Sequence, residues 1–213
     1  MRLHCTDVTI LVLAPHTDDG ELGCGGLISA CAEQNIPVHY AAFSNAHISL
    51  PPEFPEDTLI KEVRAATGVL GIAEENLHIF DFPTRSFPQY RQEILQTMID
   101  LRNEIQPGLI LAPSINDVHQ DHATICREAV RCFKKNSILC YEEPWNNIVF
   151  STNCFIKLEE RHVENKIKAL SCYKSQGHRT YITPEAIRSL AITRGAQLEG
   201  GFAEAFEVVR WML

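Results

Sequence analysis

Residues 9–26, TILVLAPHTDDGELGCGG, restrict what this chain can fold into more than any other stretch. An apolar run of Ile, Leu and Val stops at Pro15, and His16, Asp18 and Asp19 follow at once. Such a run reads as a buried strand, and the glycine-rich stretch behind it as the opening of a helix. The polar residues therefore sit on a strand-to-helix turn. In an open parallel sheet that turn lies at the carboxyl edge, where ligands bind. Gly23, Gly25 and Gly26 each cost a helix about 1 kcal/mol against alanine, so they imply a helix that must lie close against the sheet.

The rest of the chain repeats this alternation. A helix over 21–34 stops at Asn35, and a second strand is expected over 37–44. Pro51, Pro52 and Pro55, set among Glu53, Glu56 and Asp57, make 45–57 a loop. Leu59, Val63, Ala66 and Leu70 recur at helical spacing up to Gly71. A strand over 77–82 closes at Pro83, and a helix carrying Ile94, Met98, Leu101 and Ile105 ends at Pro107-Gly108. The strand over 109–114 stops, like the first, where polar residues begin: Asn116, Asp117, His119, Asp121 and His122. Cys126, Ala129, Val130 and Phe133 place a helix directly behind them. A strand over 137–143, a helix over 159–175 and a closing strand over 205–211 follow. The last helix is bracketed by Thr183 as N-cap, Pro184 at its first position and Gly200 beyond its end. This order predicts an α/β, Rossmann-like fold: a mostly parallel sheet with helices on both faces, in a single domain over 1–213.

With 213 residues, 45% of them hydrophobic, the chain can bury one good core. Its apolar runs fall far short of the roughly 20 residues of a membrane span, and no stretch resembles a signal peptide. The formal charge of -8 argues against nonspecific binding of nucleic acid. Cys5, Cys24, Cys31, Cys126, Cys132, Cys140, Cys154 and Cys172 form no C-x-x-C pair and several fall within apolar patterns, so a reducing cytoplasm is expected.

His16 and Asp19 stand three positions apart on a turn entering a helix, so both can face one point. His122 can meet them from a neighbouring strand end. Imidazole, carboxylate and imidazole match the three-ligand set of a catalytic zinc, which leaves a position open for water. Asp18 points elsewhere than Asp19 and is free to take a proton from that water. His119 can lean over a substrate oxygen, and Asp121 can hold a histidine tautomer. The glycines invite a dinucleotide reading, but GELGCGG is not G-x-G-x-x-G, and His16 to Asp19 fill the turn where a pyrophosphate needs bare backbone, which argues against it. Cys24 has no base assigned to it and reads as packing.

PHTDDGELGCGG resembles the P-H-x-D-D-x-x-x-G-x-G-G signature of the LmbE-like, or PIG-L-type, zinc-dependent deacetylases, and DVHQDH resembles their H-x-D-H motif. EVRAATGVLGI is similar to the family's E-x-x-x-A-x-x-L-G helix, KALSCYKSQ to its late helix and FAEAFEVVR to its closing strand, so the resemblance covers nearly the whole chain. It implies that His16, Asp19 and His122 hold zinc or another divalent metal such as Fe2+. Asp18 is then the general base, His119 meets the oxyanion and Asp121 orients a histidine. The implied reaction is hydrolysis of an N-acyl group, commonly N-acetyl on a glucosamine-type sugar. The implied partner is a small N-acyl substrate; oligomeric state, a homo-oligomer included, is left open. The alternatives are an amidase or deformylase acting on a non-sugar amine, and a noncatalytic binding module that keeps the fold. One departure bears on substrate: where many members carry an Arg three residues before the helix Glu, Leu59 stands before Glu62. Trp145, in the loop EEPWNN over 142–147, offers a stacking surface for a sugar.

Overall fold

Alternate side chains of the first strand, β1 (Ile10–Ala14), enter two different cores. Ile10, Val12 and Ala14 belong to one, Leu11 and Leu13 to the other. The run is apolar at every position because both faces of the strand are covered. The computed structural model describes residues 8–212, and Cys5 lies outside them. After β1 come α1 (Asp19–Glu33), β2 (Val38–Ala42), α2 (Thr58–Val69), β3 (Leu77–Ile79), α3 (Arg91–Ile105), β4 (Leu109–Pro113), α4 (Gln120–Cys132) and β5 (Ser137–Tyr141). β6 (Cys154–Leu158), α5 (Glu160–Leu170), α6 (Pro184–Ala196) and β7 (Phe202–Arg210) complete the chain.

Among the described residues the strands form one seven-stranded sheet in the order β3-β2-β1-β4-β5-β7-β6. β1 to β5 run parallel, with Ile10 opposite both Val38 and Leu109, and β7 runs antiparallel to β5 and β6. Side chains of α1, α2, α5 and α6 fill the core on one face, and those of α3 and α4 fill the other. The expected α/β, mostly parallel, single-domain architecture is therefore the observed one. The chain builds β2 and β3 on one side of β1 and then returns to lay β4 on the other. That reversal opens a crevice at the carboxyl ends of β1 and β4.

The glycines of α1 allow it to lie against the sheet. A Cβ on Gly23 would come within 2.1 Å of the Tyr141 ring, and one on Gly26 within 2.4 Å of Leu158 Cδ1. The helix is kinked at Cys24, where φ is -143° and ψ is 22°. Beyond the kink, Glu204 of β7 accepts the N–H groups of Gly26 and Leu27 at 2.8 and 2.7 Å, and Lys166 of α5 donates to the same carboxylate at 2.7 Å.

Differences from the sequence reading fall at element ends and at one strand. β3 stops at Ile79 rather than residue 82; Phe80 and Phe82 still donate to the Ala42 and Phe43 carbonyls at 2.8 and 3.0 Å before Pro83 turns the chain away. β5 ends at Tyr141, short of Glu142 and Glu143, whose side chains pair with other groups. α5 ends at Leu170 rather than 175, and Lys174–Gln176 form a separate 3-10 turn. β7 begins at Phe202 rather than 205, and β6 was not expected at all. β6 lies at the sheet edge with only Ile156 and Leu158 buried, so its apolar signal is weak. The bracket around α6 is as read: Thr183 accepts the Ala186 N–H at 3.3 Å and Pro184 opens the helix. No helix among the described residues is long and apolar enough to cross a membrane.

Gly23→Ala should force α1 off Tyr141. Overpacking of this kind destabilises by about 1–3 kcal/mol, so the urea midpoint should fall while the slope of the transition stays the same.

Candidate active site

Both polar clusters leave the sheet at the same edge, one from the β1–α1 turn and the other from the β4–α4 turn. Asp19 Oδ2 accepts the His16 backbone N–H at 2.8 Å, which folds the first turn back on itself. Beneath it, the Thr17 carbonyl lies 2.9 Å from the Tyr40 hydroxyl and 2.7 Å from the Tyr173 hydroxyl. Both hydroxyls also meet the buried carboxyl of Glu21. The turn is therefore tied to β2 and to the segment after α5, not only to its own helix.

Two carboxylates orient two imidazoles. Asp121 Oδ2 lies 3.1 Å from His16 Nε2, and Asp117 Oδ2 lies 2.9 Å from His122 Nδ1. Asp121 is itself fixed by the N–H groups of Arg85 and Phe87, at 2.5 and 3.2 Å. His16 Nδ1, Asp19 Oδ2 and His122 Nε2 are thereby turned toward one another, separated by 3.1, 3.3 and 3.4 Å. Metal bonds of ~2.0–2.1 Å in a tetrahedron set ligand atoms ~3.3 Å apart, so this triangle has the size a metal ion requires. Two other groupings, His16-His119-His122 and Asp19-His122-Glu143, also bring donor atoms within 4.8 Å. The first includes His119, whose Nδ1 is already engaged by the Asp121 N–H at 3.2 Å. In the second, Glu143 Oε2 sits 3.6 Å from His122 Nδ1, the nitrogen that Asp117 already holds at 2.9 Å.

The charges of the cluster agree with this geometry. Burial pulls the His16 imidazole down, but the carboxylates of Asp19 and Asp121 outweigh it and lift it to about 10. Burial likewise pushes Asp19 up, and His122 and His16 more than reverse this, holding it well below the usual carboxylate range. The cluster thus calls for a positive charge in its midst, carried by a proton or by a metal ion that displaces it. Burial and the Asp19 charge raise Asp18, against the opposing pull of Arg179 and His16. Burial and the neighbouring His122 and His16 hold His119 down, which favours its neutral form. Because its Nδ1 accepts a backbone N–H, the neutral ring carries its proton on Nε2.

A cavity of about 340 Å³ covers the triangle, and His16, Asp18, Asp19, His119 and His122 all line it. Asp121 stands behind His16, off the cavity wall. Leu59 is buried and lines the cavity, while Lys61 and Arg64 pair with Asp57 and Glu74 on the exposed side of α2. Cys24 donates to the Gly20 carbonyl at 3.1 Å, and burial pushes its thiol well up, as packing requires. Trp145 reaches the cavity and stacks on Tyr181 with ring centroids 4.0 Å apart. Ala46 and Ser49 of the proline-rich loop line it as well.

The far wall is what sequence reasoning missed. Gln176, Arg179 and Tyr181 come from the turns between α5 and α6, and Glu143 from just beyond β5. The Ser175 N–H and hydroxyl donate to Glu62 of α2 at 2.9 and 2.6 Å, which anchors this wall. A signal for it was present: Glu62 and Ser175-Gln176 lie in two of the stretches that carried the family resemblance, and they meet here.

The sequence model of the PIG-L family, described as GlcNAc-PI de-N-acetylase, matches residues 11–133, more than half of the chain and both clusters. The chain belongs to the PIG-L family. A relative from Escherichia coli K12, described as the uncharacterized deacetylase YaiS, is 26% identical over 174 residues, covering 78% of this chain and 90% of its own length. N,N'-diacetylchitobiose deacetylase from Pyrococcus horikoshii superposes with a TM-score of 0.80 at 19% identity, over 96% of this chain and 85% of that one. GalB, the 4-carboxy-2-hydroxymuconate hydratase of Pseudomonas putida KT2440, superposes with a TM-score of 0.79 at 21% identity, over 97% and 98%. At these identities the two structures establish the PIG-L fold alone. Glu143, Gln176, Arg179 and Tyr181 all lie outside the segment that the family model matches.

Burial lifts the Glu21 carboxyl to about 8, against the hydrogen bonds from Tyr40 and Tyr173 that favour its anion. An unfolded Glu titrates near ~4.3, so the folded chain holds this proton more tightly. The stability gained is complete below about pH 4 and is lost as the pH rises through the folded value. In chelator-treated protein, melting temperature from pH 5 to 9 should therefore fall further for the wild type than for Glu21→Gln, whose amide does not titrate.

Proposed function

We propose that this chain is a metal-dependent hydrolase that removes an N-acetyl group from an amino-sugar derivative in a reducing cytoplasm. The observation that carries this is the triangle of His16 Nδ1, Asp19 Oδ2 and His122 Nε2, 3.1 to 3.4 Å on a side, beside a buried carboxyl at Asp18. Family membership and deacetylase relatives support the same chemistry. Zinc suits a His-Asp-His set with an open position, and Fe2+ is the second candidate for such ligands. When bound there, the ion supplies Lewis-acid activation of water and of the acyl carbonyl.

The chain's own residues do the rest. Asp18 takes a proton from the attacking water as its oxygen adds to the acyl carbon. His119 donates from Nε2 to the carbonyl oxygen as negative charge grows on it. Asp18 then returns the proton to the nitrogen as the C–N bond breaks, which leaves acetate and a free amine. Asp121 and Asp117 keep His16 and His122 turned toward the metal position. Trp145 and Tyr181 give a sugar ring an aromatic surface to lie on.

Elemental analysis of zinc-exchanged protein should find about one zinc per chain, and His122→Ala should lose it. Absence of retained metal in the wild type would remove the basis of this reading. Asp18→Asn should keep the metal while acetate release from N-acetyl amino sugars falls by about 10²–10⁴-fold, the usual contribution of acid–base catalysis. Loss of metal in that variant would make Asp18 a ligand instead. Release from simple N-acyl amines but not from sugars would move the substrate to the non-sugar class.

A further inference from the structure

Arg179 is held along one edge only. Its Nη1 donates to the Tyr181 hydroxyl, and its guanidinium carbon lies 5.7 Å from the centre of that ring. Tyr181 is in turn stacked on Trp145 within 12° of parallel. The Arg179 backbone N–H donates to the Gln176 carbonyl at 3.0 Å, on the wall that Glu62 anchors through Ser175. The guanidinium thus has a fixed base. Yet its Nε is buried with no hydrogen-bond partner among the described residues. A guanidinium N–H withdrawn from water without an acceptor is unfavourable, and Arg179 lines the same cavity as Asp18.

We propose that Arg179 is a specificity-determining residue, whose free edge holds two neighbouring hydroxyl oxygens of the substrate's sugar ring. This rests on the deacetylase reading above. Nε and the adjacent terminal nitrogen form one side of a planar fork, which matches two oxygens lying in one plane. A carboxylate or phosphate has the same shape. The Asp18 and Asp19 carboxylates of this cavity already act on the guanidinium charge, however, and they disfavour a second anion beside it. A pair of neutral hydroxyls takes the fork without that penalty. The other arginine of the cavity, Arg85, is exposed at its rim and solvated.

The test compares N-acetylglucosamine with N-cyclohexylacetamide, which has a six-membered ring and the amide but no hydroxyls. Both are measured with zinc-loaded wild type, Arg179→Gln and Arg179→Lys, with metal content checked in each. The ratio of kcat/KM for the sugar over the carbocycle should fall by about 10- to 100-fold in Arg179→Gln, the range for hydrogen bonds to a charged group. The change should appear mainly in KM. Lysine should restore little of it, because an ammonium brings charge without the fork. An N-acetyl sugar that also carries a carboxylate should be a poorer substrate than the neutral one; a better rate would overturn the choice of hydroxyls. An unchanged ratio, whether both rates fall together or neither falls, would overturn the role of Arg179.

Should the wild type hydrolyse neither amide, the deacetylase reading fails. Arg179 is then decided by equilibrium binding of glucosamine against cyclohexylamine. A preference of the wild type for glucosamine that Arg179→Gln erases supports the contact. Equal binding of the two amines, or a preference that survives the substitution, overturns it.

Discussion

Asp121 and Asp117 each sit against the far nitrogen of an imidazole, and the direction of the near nitrogens follows from that. Rotate either ring and the triangle with Asp19 is lost. The two carboxylates are not free to adjust. Asp121 is fixed by two backbone N–H groups from the segment after β3, and Asp117 by accepting the His119 N–H at 2.8 Å. A constellation that looks like three side chains therefore depends on backbone from three parts of the chain, the β1–α1 turn, the segment after β3 and the β4–α4 turn. This is the outer support that lets metal ligands keep their geometry.

That backbone is placed by close packing. The β1–α1 turn can approach the crevice only because α1 lies against the sheet, with Gly23 over Tyr141, and because Glu204 satisfies the kink that this approach imposes. Beneath the turn, Glu21, Tyr40 and Tyr173 surround the Thr17 carbonyl. A buried carboxyl is expensive unless hydrogen-bonded, and here the two hydroxyls supply the bonds while anchoring the turn that carries His16 and Asp19.

β1, β4 and β5 were readable from sequence because each is buried along its whole length and is therefore a nearly unbroken apolar run. β6 was not, since an edge strand with one buried face gives a short and broken pattern. Strand direction is absent from such patterns altogether, so β7 was legible as a strand but its antiparallel course was not. The two polar clusters were legible because each interrupts the pattern at a strand end. Their convergence on one cavity followed from topology. The supporting role of Asp117 and the wall of Gln176, Arg179 and Tyr181 were not legible, because they depend on where irregular turns travel. No periodicity records that path. KALSCYKSQ resembled a helix throughout, yet its last residues leave α5 and enter a 3-10 turn at the cavity.

The bonds between Glu62 and Ser175 join α2 to the turns that form the far wall of the cavity. His16, Asp19 and His122 lie inside the segment that the family model matches, and Gln176, Arg179 and Tyr181 lie outside it. Turns 174–182 are short and partly exposed, and they touch the helix layer through a few anchors such as Ser175 and Tyr173. Substitutions between those anchors can remodel the wall while leaving His16, Asp19 and His122 undisturbed. The architecture therefore sets the triangle and the opposite side of its cavity on separate stretches of backbone, so that the shape of the one does not dictate the shape of the other.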